Sequence, residues 1–371
     1  MEFRFQFCRY RLPLRVAVRT AHGPWAEREG VIVRLEDEAG AVGYGEAAVI
    51  PWFGTETAEE AEAVCRELGA AVDDARLAAF FAEALQAGSA SARMGCLRNA
   101  IAMARFEVGQ VSDVPPTTRR EKGQVKDLTY LPVAALLPAG RAALLEIAPK
   151  AETGFRVFKW KVGVGDAADE LALLDDVCAA LPSGARLRLD ANGAWDRRTA
   201  ERWLDRCAEG PIEFVEQPCF APPSGASQGT ALLRRSDDLL RGLAESFPTP
   251  IALDESLAGE GDVVRWLAAG WRGIFVIKPS LLGDAAGALE KLARAKADVV
   301  FSSALETAIG ARAALRLAFA WVPPTGTARA LGFGVWPLFE DARFDGPRAT
   351  PFLRAEAVER LDPEAVWNAL N

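Results

Sequence analysis

The chain has 371 residues, 50% of them hydrophobic and 25% charged, with a formal net charge of −8. That is a globular composition long enough for two domains or for a barrel with an attachment, and its acidity argues against nucleic acid or an anionic membrane as partner. No apolar run reaches the length of a membrane span, the first residues lack a secretory h-region, and the six cysteines are scattered without a C-x-x-C pair, which argues against a thiolate metal site and predicts a reducing, cytoplasmic setting.

Residues 1 to about 50 read as strands with turns. The stretch EGVIVRLEDEAGAVGYGEA (29–47) is two β-rich runs joined by a Gly-containing turn, which predicts a hairpin. A helix follows in TETAEEAEAVCREL, with Thr55 or Thr57 as its cap and Glu59 and Glu60 in its first turn. Residues 76–109 are alanine-rich and helical in period, so the first third is α+β. Residues 111–128 are polar, hold two prolines and read as a linker.

Beyond the linker the pattern changes. Short apolar runs at 130–137, 155–162, 185–190, 211–216, 250–255, 273–279, 298–303 and 328–334 alternate with helix-like stretches. Alternation of this kind means a parallel sheet, and eight units predict a (β/α)8 barrel. The expected organisation is an α+β capping domain over 1–127, a TIM-like catalytic barrel over 128–335, and a segment over 336–371 that returns to the cap. The Pro/Gly/Ser-rich stretch 219–229 reads as a loop.

In such a barrel, chemistry gathers where the strands end. The second run ends on Lys159 and Lys161, the third on Asp190, the fourth on Glu216, the fifth on Asp254 and Glu255, the sixth on Lys278 and the seventh on Ser302 and Ser303. Alternation along a strand points Lys159 and Lys161 the same way and Trp160 toward the helices. Asp190, Glu216 and Asp254 come from adjacent strands, about 4.8 Å apart, so the three acids repel one another unless a cation joins them. The single histidine, His22, rules out a multi-histidine zinc site. Oxygen ligands alone favour a hard ion, Mg²⁺ with Mn²⁺ as its substitute. Lysines on both sides of a metal suit removal of a proton α to a carboxylate. The partner expected is a small carboxylate; the sequence leaves monomer and homo-oligomer open.

K-x-K, D-A-N, V-E-Q-P, D-E-S and I-K-P on five successive strands resemble the enolase superfamily, and lysine in place of histidine on the sixth strand resembles its muconate-lactonizing subgroup. The resemblance implies that Lys161 is the base, that Asp190, Glu216 and Asp254 hold Mg²⁺, that Lys278 is a cation on the opposite face, and that Lys159 tunes Lys161. With RLPLRVAVRTAHG, GYGEAAVIPWFGTET and SSALETAIG it further implies syn-dehydration of a cyclohexadiene carboxylate on the way to menaquinone or phylloquinone. Racemisation of N-succinylamino acids, dipeptide epimerisation and muconate cycloisomerisation use the same residues and are the alternatives. Dipeptide epimerases carry D-x-D at the eighth strand, whereas LGFGVW here has no acid.

Around this set, Arg188 is either a partner of Asp190 or a salt bridge within the barrel, and Asn192 is a second candidate support. Ser302 and Ser303 are either donors to a substrate carboxylate or barrel filling. Loops at 18–26 and 49–57 are expected to cover the site, with Trp25, Trp52 and Phe53 excluding water or simply packing the domains together. His22 reads as a loop residue, and Glu255 is expected to point away from the acids.

Overall fold

The computed structural model describes residues 1–20, 23–83, 94–109, 129–220, 229–324 and 326–371. His22, residues 111–128 and most of the loop at 219–229 therefore lie outside the described residues. Strands β1 (Glu2–Thr20), β2 (Gly23–Asp37), β3 (Val42–Ala47) and β4 (Ala71–Asp73) form one antiparallel sheet in the order β3-β2-β1-β4. The predicted hairpin is β2–β3. Its alternation sends Val31, Val33 and Leu35 to one face, against the helices Ala58–Leu68 and Gly95–Glu107, and Ile32 to the other, with the barrel core. Thr57, one of the two predicted caps, starts the first of these helices in a capping box with Glu60.

The predicted first run, 130–137, divides in two. Strand β5 (Tyr130–Pro132) leaves the barrel to pair antiparallel with a C-terminal strand, and β6 (Ala135–Leu137) enters it. There follow β7 (Val157–Lys161), β8 (Arg186–Asp190), β9 (Ile212–Glu216), β10 (Ile251–Leu253), β11 (Ile274–Ile277) and β12 (Asp298–Phe301). They make a seven-stranded parallel sheet in unbroken sequence order, with helices between successive strands. The eighth predicted run does not form a full strand. Residues 331 and 332 close the curled sheet through two parallel bridges, Val133 to Leu331 and Ser302 to Gly332. Glycines at 332 and 334 lower the strand preference of this stretch. Strand β13 (Phe352–Arg354) pairs with β5, and the last helix, Pro363–Leu370, brings Trp367 to within 6.2 Å of Tyr44 on the cap sheet.

A charged clamp supports the weak closure. The pairing of β8 with β9 skips from Leu187–Ile212 to Arg188–Phe214, leaving Glu213 as the bulged residue. Arg188, 1% exposed and lying over the Phe214 ring, donates to Glu213 at 2.7 and 3.3 Å and to the Ala330 carbonyl at 2.8 Å. Arg329 joins Glu213 to Asp298 of β12. Arg188 is thus the salt bridge within the barrel rather than a partner of Asp190. Replacing one member of a buried pair strands the other, so Arg188→Met is expected to cost about 3 kcal/mol of stability. A denaturation midpoint together with KM checks this: stability should fall and KM should hold.

Candidate active site

The predicted acids, Lys161 and Lys278 stand at the C-terminal ends of strands, and Lys159 lies two residues earlier on β7. Lys161, Asp190 and Glu216 are level with one another across β7, β8 and β9, while Asp254 and Lys278 directly follow β10 and β11. Trp160 points outward, fully buried, with its ring 6.4 Å from Trp203 on the helix Arg197–Cys207. A cavity of about 220 Å³ opens here, bounded by these strand ends and, from the cap, by Trp25, Trp52 and Phe53.

The loop after Lys161 is tightly held. Glu170, from the next helix, accepts the N–H groups of Gly163, Val164 and Gly165 at 2.7, 3.2 and 2.9 Å. Gly163 has φ +76°, and a Cβ there would come within 2.8 Å of Ala194; only glycine fits this turn without strain. These contacts fix the strand end that carries Lys161.

Lys159 lies between two acids, 2.6 Å from Glu216 and 3.0 Å from Asp190. Burial works against its charge, but Asp190, Glu216 and Asp254 outweigh that and raise its pKa. Lys278 pairs with Asp254 and stands 4.8 Å from the centre of the Phe53 ring. Among the described residues, no carboxylate lies within ion-pair distance of Lys161, although its charge helps hold the Asp190 pKa down against burial. Both lysines line the cavity, but Lys159 is committed to the acids and Lys161 is not.

Four acids share this end of the barrel, because Glu255 is here too. It lines the cavity, 4% exposed, and accepts a hydrogen bond from Asn192 Nδ2 at 2.9 Å, so the expectation that it points away is corrected. The chain leaves extended geometry at Asp254, where strand alternation ceases to apply. Burial, then neighbouring acids, push Glu216 and Glu255 each up to about 8. Gln217, missed in the sequence, is the organiser of the next strand end. Fully buried with φ +40°, it accepts from the backbone N–H of Asp254 at 2.9 Å and of Ser256 at 3.2 Å.

Among the described residues, no three acids converge into a cation cage by themselves; the lysine ammonium groups stand between them. The donor set nevertheless fits a hard divalent ion. It is all oxygen, it holds more carboxylates than the adjacent lysines balance, and Asn192 Oδ1 and Glu255 Oε2 are buried without partners.

The two serines are engaged elsewhere. Ser303 Oγ donates to Glu306 at 2.9 Å and accepts from Leu305 N–H at 2.9 Å, while Ser302 Oγ donates weakly to the Gly332 carbonyl at 3.4 Å. Both line the cavity, yet the Ser303 hydroxyl proton is not available to a substrate carboxylate. Burial pushes its acceptor, Glu306, up to about 7, with Glu46 adding to the effect. A carboxyl whose pKa rises on folding favours the fold when protonated, so its contribution is full below about pH 4 and lost as pH rises through about 7. Glu306→Gln is accordingly expected to flatten stability between pH 5 and pH 8, by at most about 3 kcal/mol. Urea midpoints at the two pH values measure it; equal slopes in wild type and variant would contradict it.

The model for the enolase C-terminal domain-like family matches residues 143–348, and that for the MenC N-terminal domain matches residues 3–91. The chain belongs to the enolase superfamily. It is 42% identical over 365 residues to the o-succinylbenzoate synthase of Thermosynechococcus vestitus, covering 96% of this chain and 98% of that one. The o-succinylbenzoate synthase of Mycobacterium tuberculosis is 33% identical over 230 residues, covering 61% and 62%. A crystal structure of o-succinylbenzoate synthase from Thermosynechococcus elongatus, complexed with Mg in the active site, superposes with a TM-score of 0.74 at 36% identity over 99% of both chains. The L-Ala-D/L-Glu epimerase of Bacillus subtilis, at 20% identity and TM-score 0.75 over 95% of both chains, shares the fold. Within the superfamily, this chain's family is that of the o-succinylbenzoate synthases. Among the described residues, no helix is long and apolar enough to cross a membrane.

Proposed function

We propose that this chain dehydrates 2-succinyl-6-hydroxy-2,4-cyclohexadiene-1-carboxylate to o-succinylbenzoate, a step toward menaquinone or phylloquinone, with residues 128–335 as the catalytic barrel and 1–127 as its cap. The single observation that carries the assignment of roles is that, of the two lysines lining the cavity, Lys159 is bound to Asp190 and Glu216 while Lys161 is free of ion pairs among the described residues. Lys161 removes the proton α to the ring carboxylate. The same ammonium then returns a proton to the hydroxyl leaving from the same ring face, so one base serves both halves of a syn elimination. Asp190, Glu216 and Asp254 would hold Mg²⁺, or Mn²⁺ in its place, which when bound supplies charge for the developing enediolate. Lys278 stands across the cavity as a fixed cation, oriented by Asp254. Lys159 holds Glu216 and Asp190 in place and opposes the effect of burial on both. Trp25, Trp52 and Phe53 cover the ring and exclude water.

Aromatisation makes the reaction downhill, so binding, orientation and charge stabilisation suffice. The stretch 331–336 lacks the acids that would hold a dipeptide ammonium. Product analysis tests the reading: the diene should yield an ortho-disubstituted benzene by proton NMR. The same protein with an N-succinylamino acid in D₂O should exchange the α-proton at a lower kcat/KM. The reverse order would move the assignment to racemisation.

A further inference from the structure

We infer that Arg28 is a positioning residue that shapes the apolar end of the substrate cavity by tying together three of its walls. The cavity's occupant is the one proposed above, and in that respect this inference rests on that reading. Arg28 lies on β2, is 1% exposed and belongs to no ion pair among the described residues. Its guanidinium donates instead to four carbonyls. Nε reaches Leu305 at 3.0 Å, Nη2 reaches Ala304 at 3.3 Å, and Nη1 reaches Val49 at 2.6 Å and its neighbour Glu29 at 2.5 Å. Its fifth contact is aromatic, with Cζ 5.2 Å from the centre of the Trp25 ring.

These contacts end on different pieces of chain that meet beside the cavity. Ala304 and Leu305 follow β12 of the barrel, and both line the cavity. Val49 leads into Ile50 and Trp52, which line it from the cap, and Trp25 lies at the start of β2. Trp25 meets Trp52 edge to face at 4.6 Å, so holding one ring holds the other. A planar fork with five N–H donors can bridge such dispersed acceptors, and a lysine ammonium cannot.

Leu305 shows what the fork holds. Its φ of +59° is uncommon for a leucine. Such a conformation persists where surrounding contacts over-determine it. Here its N–H donates to Ser303 Oγ and its carbonyl accepts from Arg28. Arg28 touches none of Lys159, Lys161, Asp190, Glu216, Asp254 or Lys278, so it acts on where the substrate lies rather than on proton transfer.

Arg28→Lys, Arg28→Met and Trp25→Leu, assayed for kcat and KM, test this, together with the near-ultraviolet circular dichroism of the unliganded protein, in which Trp25→Phe and Trp52→Phe identify the signal of the coupled pair. Arg28→Lys and Arg28→Met should raise KM about tenfold, the worth of one charged hydrogen bond, with kcat held within about threefold, the signature of lost uniform binding. The Trp25–Trp52 signal should collapse in both. Trp25→Leu should raise KM in the same direction, and it leaves the buried guanidinium in place should the Arg28 variants fail to fold. Unchanged KM overturns the inference even if the protein is less stable, and so does a loss confined to kcat. The dichroism is read without turnover, so failure of the wild type to aromatise the diene would sink the functional reading and leave this test standing.

Discussion

Lys161→Ala is expected to lower kcat by about 10⁴-fold, the upper end of what a positioned general base contributes, with KM changed little. The distinction between the two lysines of β7 gives this prediction its force. Lys159 is consumed as counterion to Asp190 and Glu216, and removing it would strand two buried carboxylates. Lys161 has no such duty among the described residues, so its loss should change stability by no more than about 1 kcal/mol. A folded, substrate-binding, inactive protein is therefore the outcome. If Lys161→Ala keeps more than about a hundredth of the wild-type rate, another group takes the proton. If instead the variant unfolds, the residue carries structure and the division of labour is wrong.

Glu216→Gln should weaken Mg²⁺ binding at least a hundredfold, beyond the loss from removing a supporting contact around a metal ligand, and turnover should fall with it. Glu216 is 2% exposed and bonded at 2.6 Å to Lys159, which also holds Asp190. Glutamine keeps its volume and removes a carboxylate oxygen that a bound cation would use. Titration calorimetry with Mg²⁺ separates loss of the ion from loss of catalysis. A chelator should stop the wild type, and added Mg²⁺ should restore it. Wild-type Mg²⁺ affinity in Glu216→Gln would show that the acids at 190 and 254 bind the ion without it.

The barrel and the strand-end residues were legible in the sequence because both follow from short-range rules. Apolar runs of strand length alternate with helical periods, and from the second run to the sixth a charged residue near the end of the run marks the mouth. Lys161, Asp190 and Glu216 were legible as the ends of adjacent strands, and the register then sets them level. The reading failed where the backbone leaves regular geometry. Of the two readings of Arg188, the salt bridge within the barrel holds, but its partner was hidden, because the bulge that sets Glu213 beside it is not written in the strand pattern. The turn after β10 brought Glu255 into the cavity. Gln217 looked like part of a turn signature, yet its positive φ and buried amide organise the strand end at Asp254. Arg28 was illegible for a different reason: its acceptors lie at residues 49, 304 and 305, a juxtaposition made only when the cap docks on the barrel.

The central claim is that this protein aromatises the cyclohexadiene carboxylate at a Mg²⁺ site with Lys161 as base. The most direct measurement follows the ultraviolet absorbance of that substrate with purified wild type and Lys161→Ala, each with Mg²⁺ and with chelator. The account predicts rapid loss of the diene in the wild type with Mg²⁺ alone, and none above background in the other three reactions. No turnover by the Mg²⁺-loaded wild type, or equal turnover by Lys161→Ala, would contradict it.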